Sequence, residues 1–301
     1  MLTTHPFEDD HLHEECAVFG IYGHPEAAAH TALGLHSLQH RGQEAAGIVA
    51  HDGVQFHAHR GIGLVGDIFA DRSVINRLRG DIAIGHTRYS TTGESMLRNV
   101  QPLFAELVIG GLSIAHNGNL TNARALRQEL VGDGCIFQST TDTEIIVHLM
   151  ATSRGNVTDR LIAALRQVEG AYSIAVMAKD CLIGMRDPLG VRPLALGRLG
   201  DSHIIASESC AFDIIDAEYV RDIEPGELVV IDAEGVHSHR PFPKARSRFC
   251  IFEHIYFARP DSKLWGCSVD GARRALDASF DIRRMVRDLE AIYISLLEDC
   301  R

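Results

Sequence analysis

Glu14-Glu15-Cys16-Ala17-Val18-Phe19-Gly20-Ile21-Tyr22-Gly23 places one cysteine at the head of an apolar run, directly behind a polar, histidine-bearing leader. The alternation over 16–23 suits a β-strand. Pro25 then opens a stretch in which Ala28, Ala32, Leu35 and Leu38 follow a helical period up to Gly42. A strand with a helix directly after it predicts layered α and β structure. Two readings of Cys16 stand side by side. A cysteine that begins a strand is commonly a small buried hydrophobe. With the leader removed, however, the same thiol sits beside a terminal α-amine of pKa about 7.7–8.0, a base well matched to a thiol near 8.5.

Outward from this stretch, strand pairs with turn chemistry between them recur. Ile48-Val49-Ala50 and Val54-Gln55-Phe56 flank Asp52-Gly53, and Leu107-Val108-Ile109 and Leu112-Ser113-Ile114-Ala115 flank Gly110-Gly111. Residues 81–89 read as a further strand. Helices are predicted over 121–131, 143–153 and 158–169, the middle one announced by Ser139-Thr140-Thr141-Asp142. Strands then return over 172–177, 182–185, 194–199, 203–206 and 228–231. Hairpins before and after a helical block, without regular βαβ alternation, predict an α+β fold: two antiparallel sheets stacked face to face, helices outside. From about 241, Pro241, Pro243 and Lys244-Ala245-Arg246-Ser247-Arg248 read as a linker, and 269–300 as one or two helices. The chain shows no internal repeat.

The 301 residues, 46% of them apolar, are ample for a sizeable core. A formal charge of −11, with acidic residues spread along the chain, argues against a nucleic-acid or anionic-membrane surface and favours small-molecule partners. Seven scattered cysteines without a C-x-x-C pair form no disulfide framework or zinc knuckle. With no secretory signal in the acidic leader and no run near the ~20 apolar residues of a membrane span, the expected location is cytoplasmic.

Four further segments gather polar groups at strand ends or turns, where a scaffold places working residues. In 38–47, Leu-Gln-His-Arg-Gly-Gln-Glu-Ala-Ala-Gly, His36 and His40 stand one helical turn apart, yet no third metal ligand follows. In Gly85-His86-Thr87-Arg88-Tyr89-Ser90-Thr91-Thr92-Gly93, Arg88 offers a planar fork for a carboxylate, or a structural salt bridge. In Ala115-His116-Asn117-Gly118-Asn119-Leu120, the Asn117 amide and Gly118 N–H form a plausible donor pair for an oxyanion, or plain turn chemistry. Asp142 can cap its helix or hold an ammonium group.

Together these motifs resemble the glutamine amidotransferase domain of the amidophosphoribosyltransferases. E-E-C-A-V-F-G-I-Y-G, L-Q-H-R-G-Q-E-A-A-G-I, G-H-T-R-Y-S-T-T-G, N-V-Q-P-L, A-H-N-G-N-L-T-N and T-D-T-E occur in order, followed by R-D-P-L-G-V-R-P-L, A-S-E-S-C-A-F-D and Y-F-A-R-P-D-S at 256–262. The resemblance runs from about 14 to 275. It implies the N-terminal nucleophile hydrolase fold, a four-layer αββα sandwich, with 1–15 as a propeptide, 16–245 as the amidotransferase domain and 246–301 as linker plus the start of a phosphoribosyltransferase domain. It further implies that Cys16 attacks L-glutamine, that Asn117 and Gly118 form the oxyanion hole, and that Arg88 and Asp142 hold the substrate's α-carboxylate and α-amine, with Thr91 as a further contact. In the whole enzyme the released ammonia attacks phosphoribosyl pyrophosphate to give 5-phosphoribosylamine for purine synthesis, Mg2+ is a cofactor, and the protein is a homo-oligomer.

The phosphoribosyl-binding motifs are missing, and after Arg274 the resemblance fades, so a truncated, frameshifted or partial chain is expected, one that binds phosphoribosyl pyrophosphate only if the missing half is supplied. In the propeptide-bearing branch, a cysteine at the position of Cys250 is one of four ligands of a 4Fe-4S cluster. Here it would be an orphan ligand, and no cofactor is expected in this chain. The alternatives to an active enzyme of this pathway are a catalytically silent remnant and a stand-alone glutaminase serving another partner.

Overall fold

A computed structural model of the chain describes residues 16–89 and 96–279. The leader, Thr91 and the tail beyond 279 lie outside the described residues. In chain order the main elements are β1 (Ala17–Tyr22), α1 (Ala27–Ser37), β2 (Ala45–His51), β3 (Phe56–Ile62), the short α2 (Val65–Ile68) and α3 (Arg72–Arg77), and β4 (Ile82–Arg88). Next come β5 (Leu103–Leu107), β6 (Gly110–Leu120), α4 (Ala123–Gly132), α5 (Thr143–Thr152), α6 (Val157–Leu165), β7 (Gly170–Ala178) and β8 (Leu182–Arg186). The chain continues through β9 (Ala195–Leu199), β10 (Ser202–Ala206), α7 (Cys210–Asp213), β11 (Glu218–Asp222), β12 (Leu228–Asp232) and β13 (Gly235–His239). A two-residue-per-strand hairpin, β14 (Lys263–Leu264) with β15 (Cys267–Ser268), precedes α8 (Val269–Ser279).

Two antiparallel sheets carry the fold, in the orders β11-β9-β10-β1-β4-β2-β3 and β13-β12-β8-β7-β6-β5. Their side chains divide by the two-residue period of a strand. Along β1, Ala17, Phe19 and Ile21 pack towards α1, while Val18 turns to the other sheet. Val49, Ile84, Ala115, Ala175, Leu182 and Val229 meet Val18 in that middle core. Ile114, Ile174 and Ile183 point outward beneath Ile146, Met150 and Leu161 of α5 and α6. Three stacked apolar layers between four structural layers give the expected αββα sandwich. Each fully buried Leu, Ile, Val or Phe contributes about 1.5–3 kcal/mol.

The predicted hairpins form, with one shift. The turn expected at Gly110-Gly111 lies at Val108-Ile109, because Leu107 pairs with Gly110. The long ladder of β6 with β7, from Leu112 opposite Ala178 to Leu120 opposite Gly170, fixes the β6 register and draws both glycines into the strand. Strands β11 and β13, half exposed, are not evident from periodicity.

Residues 240–250, where the sequence predicts a linker, carry no helix or strand. Beyond them the chain docks back on the sandwich. Glu253 is fully buried against Arg41, accepting from Nη1 at 3.0 Å and Nη2 at 3.1 Å, and it also accepts from Arg192 Nη1 at 3.2 Å. Glu208, after β10, meets the same guanidinium and His40 Nε2 (2.9 Å), and accepts from Ser262 Oγ (2.7 Å) and the Arg259 amide (3.0 Å). Burial alone would raise the Glu208 carboxyl, but Arg41 and His40 hold it down at about 2.

Close approach of α1 to β1 depends on Gly34, where an added Cβ would lie 2.4 Å from the Phe19 ring. Gly34→Val is expected to destabilise the protein by about 1–3 kcal/mol through overpacking, read from the urea midpoint. Because Glu208 is held below its unfolded value of 4.5, its contribution is present above that value and is lost as pH falls towards about 2. Glu208→Gln is therefore expected to flatten the pH dependence of unfolding free energy across that window. A slope equal to wild type would refute the assignment.

Candidate active site

Strand alternation aims the candidate residues at one place. Cys16 precedes β1 on the side of Val18, Arg88 and His86 share the face of Ile84 on β4, and Asn117 shares the face of Ala115 on β6. All four therefore face the gap between the sheets, at one end of it. There a cavity of about 330 Å³ is walled by Cys16, His86, Arg88, Tyr89, Gly118 and Asp142, with α4 and α5 contributing Arg124, Arg127 and Ile145. Glutamine-sized ligands fit a space of this scale.

Cys16 is partly exposed, and its thiol donates to the Tyr89 carbonyl at 3.5 Å. Arg88 is buried; its Nη1 donates to the Asn99 carbonyl at 2.7 Å, while its Nε is buried without a partner. Asn99 is in turn locked to Thr140 by a reciprocal pair of hydrogen bonds at 2.9 and 3.0 Å. The fork of Arg88 is thus oriented with donor capacity in reserve. The Asn117 amide is fully buried, and both Nδ2 and Oδ1 lack partners, a costly state of about 1–3 kcal/mol per group; a ligand oxygen would relieve the Nδ2 donor. Asn117 itself is not part of the cavity wall; its neighbour Gly118 is. Gly118 has φ +147°, and a Cβ there would lie 2.0 Å from the Ala171 carbonyl oxygen, so only glycine brings the chain this close.

Asp142 stands at the head of α5 but does not cap it with its side chain. Its Oδ2 accepts instead from the Leu120 amide at 2.9 Å, and Oδ1 lies 3.6 Å from His116 Nδ1. Burial would raise its carboxyl, yet His116 and the Leu120 and Thr143 amides hold it below the usual carboxylate range, so it is anionic at neutral pH. The cap-rich run before it is organised by Glu144, which accepts from the Gln138 and Ser139 amides. His86 is pushed down to about 3 by burial, with the Arg88 charge adding to the effect, and its neutral ring faces the His116 carbonyl through Nε2 at 3.1 Å. The cavity therefore pairs a fixed cation, Arg88, with a fixed anion, Asp142, flanking the thiol.

Thr91 lies outside the described residues. His40 is engaged by Ser37 and Glu208, not by a metal-like set with His36. Among the described residues no group of three or more His, Cys, Asp or Glu could hold a metal ion, so Cys250 has no companions there to fit an iron–sulfur cluster. No helix among them is long and apolar enough to cross a membrane. Periodicity and motif wording do not reveal the role of Arg41, whose Nε donates to the Cys16 carbonyl at 3.2 Å. The segment containing it stands out in the sequence, but its partners Glu208 and Glu253 lie 167 and 212 residues away.

The family described as the glutamine amidotransferase domain matches residues 86–213. The chain is 52% identical over 278 residues to an amidophosphoribosyltransferase of Rhizobium etli, covering 90% of this chain and 56% of that relative. It is 47% identical to the amidophosphoribosyltransferase of Bacillus subtilis, covering 88% and 56% respectively. Among solved structures it is similar to the allosteric regulatory enzyme of purine biosynthesis, with a TM-score of 0.84 and 46% identity over 87% of this chain and 56% of the other. It is also similar to glutamine phosphoribosylpyrophosphate amidotransferase from B. subtilis complexed with ADP and GMP, with a TM-score of 0.82 and 45% identity over 87% and 57%. The chain spans little more than half the length of these relatives. On motif order, sandwich architecture and these likenesses, the chain belongs to the glutamine amidotransferase domain family, in the form carried by the amidophosphoribosyltransferases.

Proposed function

We propose that this chain is a glutamine-hydrolysing module, with Cys16 as nucleophile once residues 1–15 are removed, that supplies ammonia for transfer to phosphoribosyl pyrophosphate in a larger assembly of this family. The observation that carries the reading is the convergence of Cys16, Arg88, Gly118 and Asp142 on one cavity of about 330 Å³, beside an unpaired, buried Asn117 amide. Arg88 binds the α-carboxylate of L-glutamine and Asp142 its α-ammonium, a zwitterion clamp that leaves the carboxamide facing the thiol.

In the reaction, the α-amine of Cys16 takes the thiol proton as sulfur bonds to the carboxamide carbon. The carbonyl oxygen becomes an oxyanion, stabilised by Asn117 Nδ2 and the Gly118 N–H. Collapse breaks the C–N bond, and the ammonium proton passes to the leaving nitrogen, releasing ammonia and a glutamyl thioester. Water then adds to the thioester carbon, glutamate leaves and the thiol is regenerated. Each oxyanion donor is worth about 2.7–4 kcal/mol in the transition state.

The names of its relatives support a role for this module in de novo purine biosynthesis; on this reading the phosphoribosyl-binding half, Mg2+ and oligomerisation belong to the longer protein.

The decisive assay is glutamate release from chain whose first residue is Cys16. Cys16→Ser is expected to abolish it. Arg88→Lys is expected to raise KM for glutamine about 10- to 100-fold with a smaller change in kcat, since one or two charge-assisted hydrogen bonds worth about 1.5–3 kcal/mol are lost. Gly118→Ala should remove activity through kcat. Intact mass of the purified protein reads the state of the leader. Glutamate release at wild-type rate from Cys16→Ser would sink the reading.

A further inference from the structure

We propose that Glu253, acting through Arg41, is a positioning residue for the Cys16 nucleophile, so that docking of the segment after the linker sets glutaminase competence; this rests on the glutaminase reading above. Cys16 lies one residue outside the β1 ladder, whose pairing with β4 starts at Ala17 opposite Thr87. From Val18 onward the strand is gripped on its other side too, the Val18 amide donating to Ser207 Oγ at 2.9 Å and its carbonyl accepting from the Ser207 amide at 3.0 Å. The Cys16 carbonyl, by contrast, is held by a side chain, Arg41 Nε–H, at 3.2 Å.

A guanidinium is a rigid plane, so the edge that grips one partner dictates where its other donors point. Arg41 has no solvent exposure, and its two terminal nitrogens form a fork onto Glu253 at 3.0 and 3.1 Å, with Glu208 on Nη1 as well. Glu253 is carried by the segment 250–258, on the far side of the extended linker. Arg192 closes the cage from its outer edge, at 3.2 Å. Two arginines and two glutamates balance there. If Glu253 withdraws, the cage keeps an excess positive charge and Arg41 loses the fork that aims Nε at Cys16. A thiol displaced by about 1 Å from its attack position can cost about 100-fold in rate. Binding of glutamine by Arg88 and Asp142, on β4 and at the head of α5, does not pass through this cage.

The test compares wild type with Glu253→Gln, which keeps the volume and removes the charge, and with Arg41→Lys, which keeps the charge and removes the planar fork. Three readouts are taken: kcat and KM for glutamine, the pH profile of Cys16 carboxamidomethylation by iodoacetamide followed by peptide mass mapping, and Tm. The expected result is a kcat at least ~10-fold lower with KM within about threefold, and an altered Cys16 alkylation profile, in both variants. A lower Tm with kcat and alkylation profile within twofold of wild type would make the cage merely structural and overturn the proposal. If these variants do not fold, Arg192→Gln loosens Glu253 from the rim without stranding it, and the same readouts decide: a reduced kcat with unchanged KM supports, no change overturns. A wild-type chain that releases no glutamate defeats the functional reading instead, and the alkylation profile alone then decides this one.

Discussion

A fully buried guanidinium has to be matched by charge, and the placement of Arg41 imposes that condition on three distant parts of the chain. Removing such an ion from water costs several kcal/mol, which only close, hydrogen-bonded carboxylates offset. Burial would push its proton off, but Glu253 and Glu208 outweigh that and hold it more tightly than usual. The loop after β10, the start of β1 and the segment after the linker are thereby brought to one point. Loss of one partner leaves an uncompensated charge rather than a lost contact, so the cage is cooperative in a way an apolar patch is not.

The sandwich supplies the second constraint. Two sheets that each bury one face against helices and the other against each other leave little room for polar side chains between them. The middle core runs from Val18 to Val229, and at one end of it Cys16, His86, Arg88 and Asn117 face the gap. There the low-polarity surroundings strengthen every electrostatic contact, those of the Arg88 guanidinium and the Asp142 carboxylate included. The unpaired atoms of Asn117 and Arg88 are the cost of keeping such a site ready.

Much of the fold is legible in the sequence because its signals are local. Strand and helix periods, Asp52-Gly53 and the run before α5 depend on neighbours a few residues apart, and β1, α1, the β2–β3 hairpin, α4 to α6 and β7 to β10 lie where those signals put them. The misses are non-local. The β5–β6 turn is displaced by two residues because β7, not the glycine pair, sets the register. Of the two local roles open to Asp142, helix cap or ammonium partner, the cap is not made, because its carboxylate accepts from the Leu120 amide and lies beside His116. Glu253 carries no local signal at all, yet it is among the most deeply buried of the described residues.

The sequence by itself determined most of the elements, the layer arrangement and the identity of the groups able to do chemistry, because alternation, caps and motif wording are written in adjacent residues. Only the tertiary structure decided that the thiol, the Arg88 fork, the Gly118 backbone and the Asp142 carboxylate share one cavity, and that the segment beyond the linker reaches back to Cys16 through Arg41. The reason is physical: charge pairing and strand register are satisfied between residues far apart in the chain, and nothing in the local pattern of either partner specifies the other.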